Sequence, residues 1–173
     1  VGRAGHSDRV RAMAEKLATA LGWPPDRVAL LGRAALAHDV GMLGVPDRVL
    51  LHEGPLSPER RRAMEHHAAV GADIVASMAS AEAATWVRHH HERWDGSGYP
   101  DGLAGERIPE GARIIGLADA WSAMNSRTPW RPALGRDGAL EECRRCSGTQ
   151  FWPDAVAALE RVLARDAAGA PVP

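Results

Sequence analysis

The sequence predicts an all-α fold, a single domain of about seven helices closed around a polar interior. Three observations carry this. Apolar residues recur at steps of three and four through most of the chain, the spacing that lines one face of a helix. No segment shows the apolar/polar alternation of a half-buried strand, and there is no internal repeat or low-complexity tract. Several of the helical stripes run directly onto histidine and aspartate. With 173 residues the chain is long enough for one domain with a real core and short for two. That domain is expected over residues 1–165, with residues 166–173 as a flexible tail.

The first helix is expected from His6 to Leu21, with Val10, Met13, Ala14, Leu17 and Leu21 on one side, and Gly22-Trp23-Pro24-Pro25 stops it. A second helix opens near Asp26 and carries its stripe of Val28, Leu31 and Ala35 onto His38 and Asp39. Gly41, Gly44 and Pro46 break it, and Val49-Leu50-Leu51 is a short helical turn. Ser57-Pro58-Glu59 has the hydroxyl, proline and carboxylate of a helix start. The third helix begins there with Met64, His67, Gly71, Ile74, Val75 and Met78 on its stripe, so His67 faces inward and His66 does not. In the fourth, Trp86 and Val87 place His90 and His91 one turn further on the same face, while His89 turns away. Asp95 to Gly111 holds five glycines and two prolines, which predicts a long structured loop beside the histidine pair. A fifth helix, about Ala112 to Asn125, aligns Ile115, Ala118, Asp119 and Ser122. A sixth spans about Arg136 to Cys146, and a seventh about Pro153 to Arg165 with Val156, Leu159 and Val162 inward.

Composition excludes several classes. A net charge of −1 and a pI near 6.8 provide no basic field for duplex nucleic acid, although Lys16 is the only lysine among 21 basic residues and arginine reads phosphate locally. There is no apolar run long enough to span a bilayer and no signal-peptide pattern, so a soluble, cytoplasmic protein without membrane contact is expected. Cys143 and Cys146 have no second pair to complete a zinc site and read as two reduced thiols. The start at Val1 and the Ala-Gly-Ala-Pro-Val-Pro end read as a piece of a larger protein.

The inward polar residues are thus His38, Asp39, His67, His90, His91 and Asp119, with His6 a candidate seventh from the first helix. Buried polar groups need partners, and no matching set of inward arginines or lysines is available. A metal cluster satisfies them all. Mixed imidazole and carboxylate donors suit iron, manganese or zinc, and so many exceed the need of one tetrahedral ion, so two transition-metal ions are expected. His52, His66 and His89 are read as solvated or outer-shell residues, Arg60-Arg61-Arg62 as an exposed face, and the tryptophans as core.

His38-Asp39-Val40-Gly41, Met64-Glu65-His66-His67 with Gly71, His90-His91-Glu92-Arg93-Trp94-Asp95-Gly96-Ser97-Gly98-Tyr99-Pro100, and Arg113-Ile114-Ile115-Gly116-Leu117-Ala118-Asp119 resemble the HD-GYP family, over roughly His6 to Leu163. The glycine-rich segment is the specific part, since a His-Asp pair alone marks only the wider HD superfamily. The resemblance implies an HD-type helical bundle. It implies hydrolysis of cyclic di-GMP to the linear dinucleotide or GMP by a metal-activated hydroxide, through two or three iron or manganese ions. Carried over by position, the metal ligands fall on His6, His38, Asp39, His67, His90, His91 and Asp119, with His38 and Asp39 acting in catalysis through the ions. A further carboxylate ligand of some members falls on Gly2, which favours two ions over three. Substrate contacts fall on Arg93, Gly98, Tyr99, Pro100 and Arg131. The implied partners are a cyclic dinucleotide, an upstream sensor or receiver domain, diguanylate cyclase domains, and a second copy in a homodimer.

The chain departs from the family pattern at Met42, where lysine is usual, at Ser122, where the aspartate repeats, at Arg127-Thr128-Pro129-Trp130 in place of Asp-Arg-Pro-Tyr, and at Trp152 before Pro153. Ligands survive while phosphate contacts are depleted, and Met42 and Ser122 are read as one coupled change. Two other readings therefore stand beside the first: a catalytically weak metal-loaded domain that binds a nucleotide or partner protein, and a hydrolase of another cyclic dinucleotide.

Overall fold

The computed structural model describes residues 5–52, 54–78, 80–127 and 132–168. These form α1 (His6–Ala20), α2 (Pro25–Leu36), α3 (Asp47–Leu50), α4 (Pro58–Glu65), α5 (His67–Met78), α6 (Ala81–His89), α7 (Glu110–Met124), α8 (Gly135–Arg145) and α9 (Pro153–Ala167), with 3-10 turns at Val40–Gly44 and Gly105–Arg107. No strand forms among the described residues, and no helix is long and apolar enough to cross a membrane. The all-α expectation holds, with two local differences. The single helix expected from Ser57 through Met78 is broken at His66 into α4 and α5, and the Asp47–Leu50 turn is a helix of its own.

Amphipathic faces close the bundle. α1 buries Val10, Ala14, Leu17 and Ala18 against α2 and α7, while Met13 and Leu21 stay half-buried at its edge. α7 is buried nearly all round, through Ile114, Ile115, Leu117, Ala118 and Trp121, because α1, α6 and α9 all pack on it. Burying a leucine or isoleucine side chain stabilises by about 1.5–3 kcal/mol, so this helix is the axis of the core. Trp23, Trp86 and Trp121 are core residues as expected, and both Cys143 and Cys146 are buried free thiols.

Helix starts follow local chemistry. Ser57 accepts from the Arg60 amide at 3.4 Å with Pro58 in the first turn, and Ser80 accepts from the Ala83 amide at 3.1 Å. α7 begins at Glu110, so Gly111 belongs to the helix rather than to the loop. A Cβ there would lie 2.4 Å from the Trp86 ring, and the glycine lets α7 close on α6. α9 continues to Ala167, two residues past the expected domain boundary, and Asp166 pairs with Lys16 of α1 at 2.8 Å.

Candidate metal centre

Three helices end at the same point in space. α2, α4 and α6 each finish a few residues before or at a histidine, and their last carbonyls lack intrahelical partners. His38 Nδ1 lies 2.7 Å from Ala35 O, His67 Nδ1 2.6 Å from Met64 O, and His90 Nδ1 2.6 Å from Val87 O. A carbonyl only accepts, so each Nδ1 carries the proton and donates. Each Nε2 therefore keeps its lone pair, which fixes the tautomer a metal requires. The break between α4 and α5 lies at His66, where the His67 ring bonds the Met64 carbonyl in the last turn of α4. The negative ends of three helix dipoles face the cluster and favour cations there.

The His38, His67 and His90 Nε2 atoms are fully buried and without hydrogen-bond partners. Around them stand two carboxylates. Asp39 directs Oδ1 toward His67 Nε2 at 3.5 Å and Oδ2 toward His38 Nε2 at 3.7 Å. Asp119 Oδ1 lies 3.1 Å from His6 Nε2 and 3.9 Å from His38 Nε2. Donors bonded to one ion at about 2.0–2.2 Å sit roughly 3–4 Å apart, so these separations match a shared coordination sphere. Two donor sets result, Asp39, His67, His90 and His91 in one, and His6, His38 and Asp39 in the other, with all donor atoms in a set within 4.8 Å of one another. Asp39 belongs to both, one oxygen to each side.

Electrostatics keep His90, His91 and Asp119 in their ligating forms. Burial, then the neighbouring His38, lowers His90 to about 4, and burial with His90, His67 and His38 nearby lowers His91 to about 2. Burial pushes the Asp119 carboxyl up, yet the His6 hydrogen bond and the His38, His91 and His90 rings hold it down at about 2. Neutral imidazoles around ionised carboxylates are what a transition-metal ion accepts. The donor set thus fits a metal, and the whole expected ligand set of seven side chains is gathered in one place.

The expected substrate residues divide. Tyr99 stacks on His91 at 4.8 Å between ring centres, and its hydroxyl is pushed up by burial and by Glu65, Asp39 and Asp119. Pro100 follows through a cis peptide bond and is exposed. Gly98 is needed for packing, since a Cβ would lie 2.4 Å from the Arg93 amide. Arg93 is tied back to Ser97 Oγ at 2.8 Å and Asp95 at 3.3 Å, yet it lines a cavity with His90, His91, Asp119 and Arg113. Arg131, with Thr128 and Trp130, lies outside the described residues.

Some residues play parts that periodicity does not reveal. His89 is buried rather than solvated: its nitrogens face Thr85 O at 2.8 Å and Asp101 Oδ2 at 2.9 Å. Glu92 accepts the Asp101 amide at 2.7 Å and the Leu103 amide at 3.1 Å, so His89, Glu92 and Asp101 clip the glycine-rich loop to α6. His66 is exposed as expected, and His52 is held by Arg60 at 3.0 Å, so the arginine run is not wholly a free face. Half-buried Trp94 and Trp152 stack at 6.5 Å, with the Arg113 guanidinium 5.2 and 5.0 Å from their centres, on the wall of the cavity beside the cluster. These two tryptophans are not simply core. The only sequence signal for their role was Trp152 itself, an aromatic residue in a place where the resemblance leads one to expect aspartate.

The HD domain family model matches residues 2–155. The chain is 37% identical over 156 residues to a Thermotoga maritima protein named cyclic di-GMP phosphodiesterase, covering 88% of this chain and 42% of that one. It is 36% identical over 161 residues to the 3'3'-cGAMP-specific phosphodiesterase 3 of Vibrio cholerae, covering 92% of this chain and 35% of that one. The chain thus spans less than half the length of these curated relatives. In three dimensions it is similar to the crystal structure of the cyclic GMP-AMP-specific phosphodiesterase V-cGAP3 of V. cholerae, with a TM-score of 0.74 at 19% identity, over 92% of this chain and 44% of the other.

Proposed function

This chain belongs to the HD domain family, in its HD-GYP branch, and from that footing we propose that it is a metal-dependent phosphodiesterase hydrolysing cyclic di-GMP. The observation that carries the reading is the convergence of three buried, partnerless Nε2 lone pairs on two carboxylates. A cation suits that arrangement, because the imidazoles already direct their Nδ1 protons to helix-end carbonyls.

His6, His38, Asp39 and Asp119 would hold one ion, and Asp39, His67, His90 and His91 a second. Nitrogen and oxygen donors without thiolate, in excess of four, favour iron or manganese and admit zinc. When bound, such ions supply Lewis acidity to a phosphoryl oxygen and lower the pKa of water. The chain's own residues do the rest. His38 and Asp39 would hold the ions through which the phosphodiester is activated, and Tyr99 covers His91 at the rim, where the phenol stays protonated and can donate to a substrate oxygen. Arg93 and Arg113 give the adjoining cavity positive charge for a phosphate, and Gly98 and Pro100 shape the loop beside it.

A second reading, hydrolysis of a different cyclic dinucleotide, draws on the 36% identical Vibrio relative. Anaerobic reconstitution, metal analysis and incubation with a panel of cyclic dinucleotides test both. About two ions per chain and turnover of cyclic di-GMP are expected. Less than one transition metal per chain overturns the reading, and turnover of cyclic GMP-AMP alone selects the second.

A further inference from the structure

His38, His67 and His90 each carry an orienting carbonyl three residues back in their own chain segment. His6 opens α1 after Gly5, which sits at a left-handed φ of 74°, so it has no preceding helical turn to supply one. Its ring is held instead from α7. Nδ1 lies 3.1 Å from Ser122 Oγ and Nε2 lies 3.1 Å from Asp119 Oδ1. Asp119 and Ser122 are three residues apart on one helical face, so a single turn of α7 grips both nitrogens of the imidazole. Ser122 is only 4% exposed and is itself fixed from α1: Arg9 Nε reaches its Oγ at 3.4 Å, while the same guanidinium donates to Ser126 Oγ at 3.2 Å.

We propose that Ser122, held in place by Arg9, is the positioning residue for His6 and so sets the affinity of the ion position that His6 completes. The inference rests on the metal reading above. A serine hydroxyl both donates and accepts, so it serves either tautomer of the ring. With the proton on Nε2, the ring donates to Asp119 and the hydroxyl donates to Nδ1. With the proton on Nδ1, the ring donates to the hydroxyl oxygen and Nε2 is free to ligate. A carboxylate in this place only accepts, and its counter-charge would be Arg9 on α1. The cation beside Ser122 in this chain is Arg9.

The test is metal titration of the anaerobically reconstituted chain in four forms: unchanged, Ser122→Ala, Ser122→Thr and Arg9→Met. Cobalt(II) absorption serves as a spectroscopic report of each ion position. Outer-shell partners of metal-bound histidine are worth roughly 10–100-fold in affinity, so Ser122→Ala should weaken one ion by that factor. The ion held by His67, His90 and His91 should stay at its original affinity. Ser122→Thr, which keeps the hydroxyl, should restore both the affinity and the cobalt spectrum, and Arg9→Met should weaken the same ion by less. Unchanged affinity for both ions in Ser122→Ala and Arg9→Met overturns the inference. So does parallel weakening of both ions, or failure of Ser122→Thr to restore what Ser122→Ala removes. Should Ser122→Ala not fold, Arg9→Met, an exposed position, decides alone. If the unchanged chain takes up no transition metal, the metal reading itself falls, and this inference with it.

Discussion

At the scale of single residues, the site shows one device used three times: a histidine just past a helix end returns Nδ1 to a carbonyl of the last turn and presents Nε2 to the interior. The bond satisfies an orphan carbonyl and selects the tautomer in one step. It follows that these rings are interchangeable in kind but not with their sequence neighbours. His90→Ala and Asp39→Ala should each lose metal, and any hydrolysis with it, as read by metal analysis after anaerobic reconstitution. His66→Ala should keep both, because that ring is exposed. His89→Ala occupies the middle ground. It removes the tether to Asp101 at the loop, so it should lower stability by about 1 kcal/mol while metal content holds. Equal loss of metal in His66→Ala and His90→Ala would show that the helical faces are misassigned.

At the scale of elements, the site depends on how closely a turn lies on a helix. The Val40–Gly44 turn follows Asp39 and rests on the start of α5, where His67 sits. A Cβ on Gly41 would lie 1.9 Å from His67 O and 2.5 Å from Gly71 N, both backbone atoms that cannot rotate away. Gly41→Ala must therefore push the turn off α5 and separate Asp39 from His67. We expect a cost of about 1–3 kcal/mol, a melting temperature lower by roughly 2–4 °C per kcal/mol in a domain of this size, and impaired metal binding. Gly44→Ala is the control, since its nearest neighbour is the Val70 side chain at 3.3 Å, and it should change little. This scale also separates what the sequence made legible from what it did not. The apolar stripes that run onto His38, His67 and His90 were readable because burial on a helix follows a fixed period. The break at His66 was not, because a one-residue interruption leaves the apolar period intact on both sides. Contacts such as His89 with Asp101, or His6 with Ser122 across 116 residues, depend on how elements dock, and no local pattern encodes them.

At the scale of the whole molecule, the fold buries the His90 and His91 imidazoles in forms that resist protonation, and that makes stability depend on pH in a particular direction. His90 is lowered to about 4 and His91 to about 2, in both cases first by burial. In the unfolded chain an imidazole takes up its proton near 6.5. Between about 6.5 and 4, then, the unfolded state binds protons that the folded state refuses. Stability rises with pH wherever the unfolded state binds more protons, so the metal-free domain is most stable above about 6.5 and loses stability as pH falls. Each such histidine contributes at most about 1.4 kcal/mol per pH unit within that window. Asp119 is held down at about 2, so its contribution is lost as pH falls from the ordinary carboxylate value near 4 toward about 2, below the histidine limb melted between about 6.5 and 4.5. Melting the chain in chelator across pH 7.5 to 4.5 should show the melting temperature falling steadily below about 6.5. A His91→Gln chain should fall less steeply, by about one histidine's share. Added metal should raise the melting temperature most at high pH, because protons and ions compete for the same lone pairs. A melting temperature that stays flat from neutral pH to 4.5 in chelator would mean that the imidazoles are solvated in the folded chain, and that the buried cluster is not built as described.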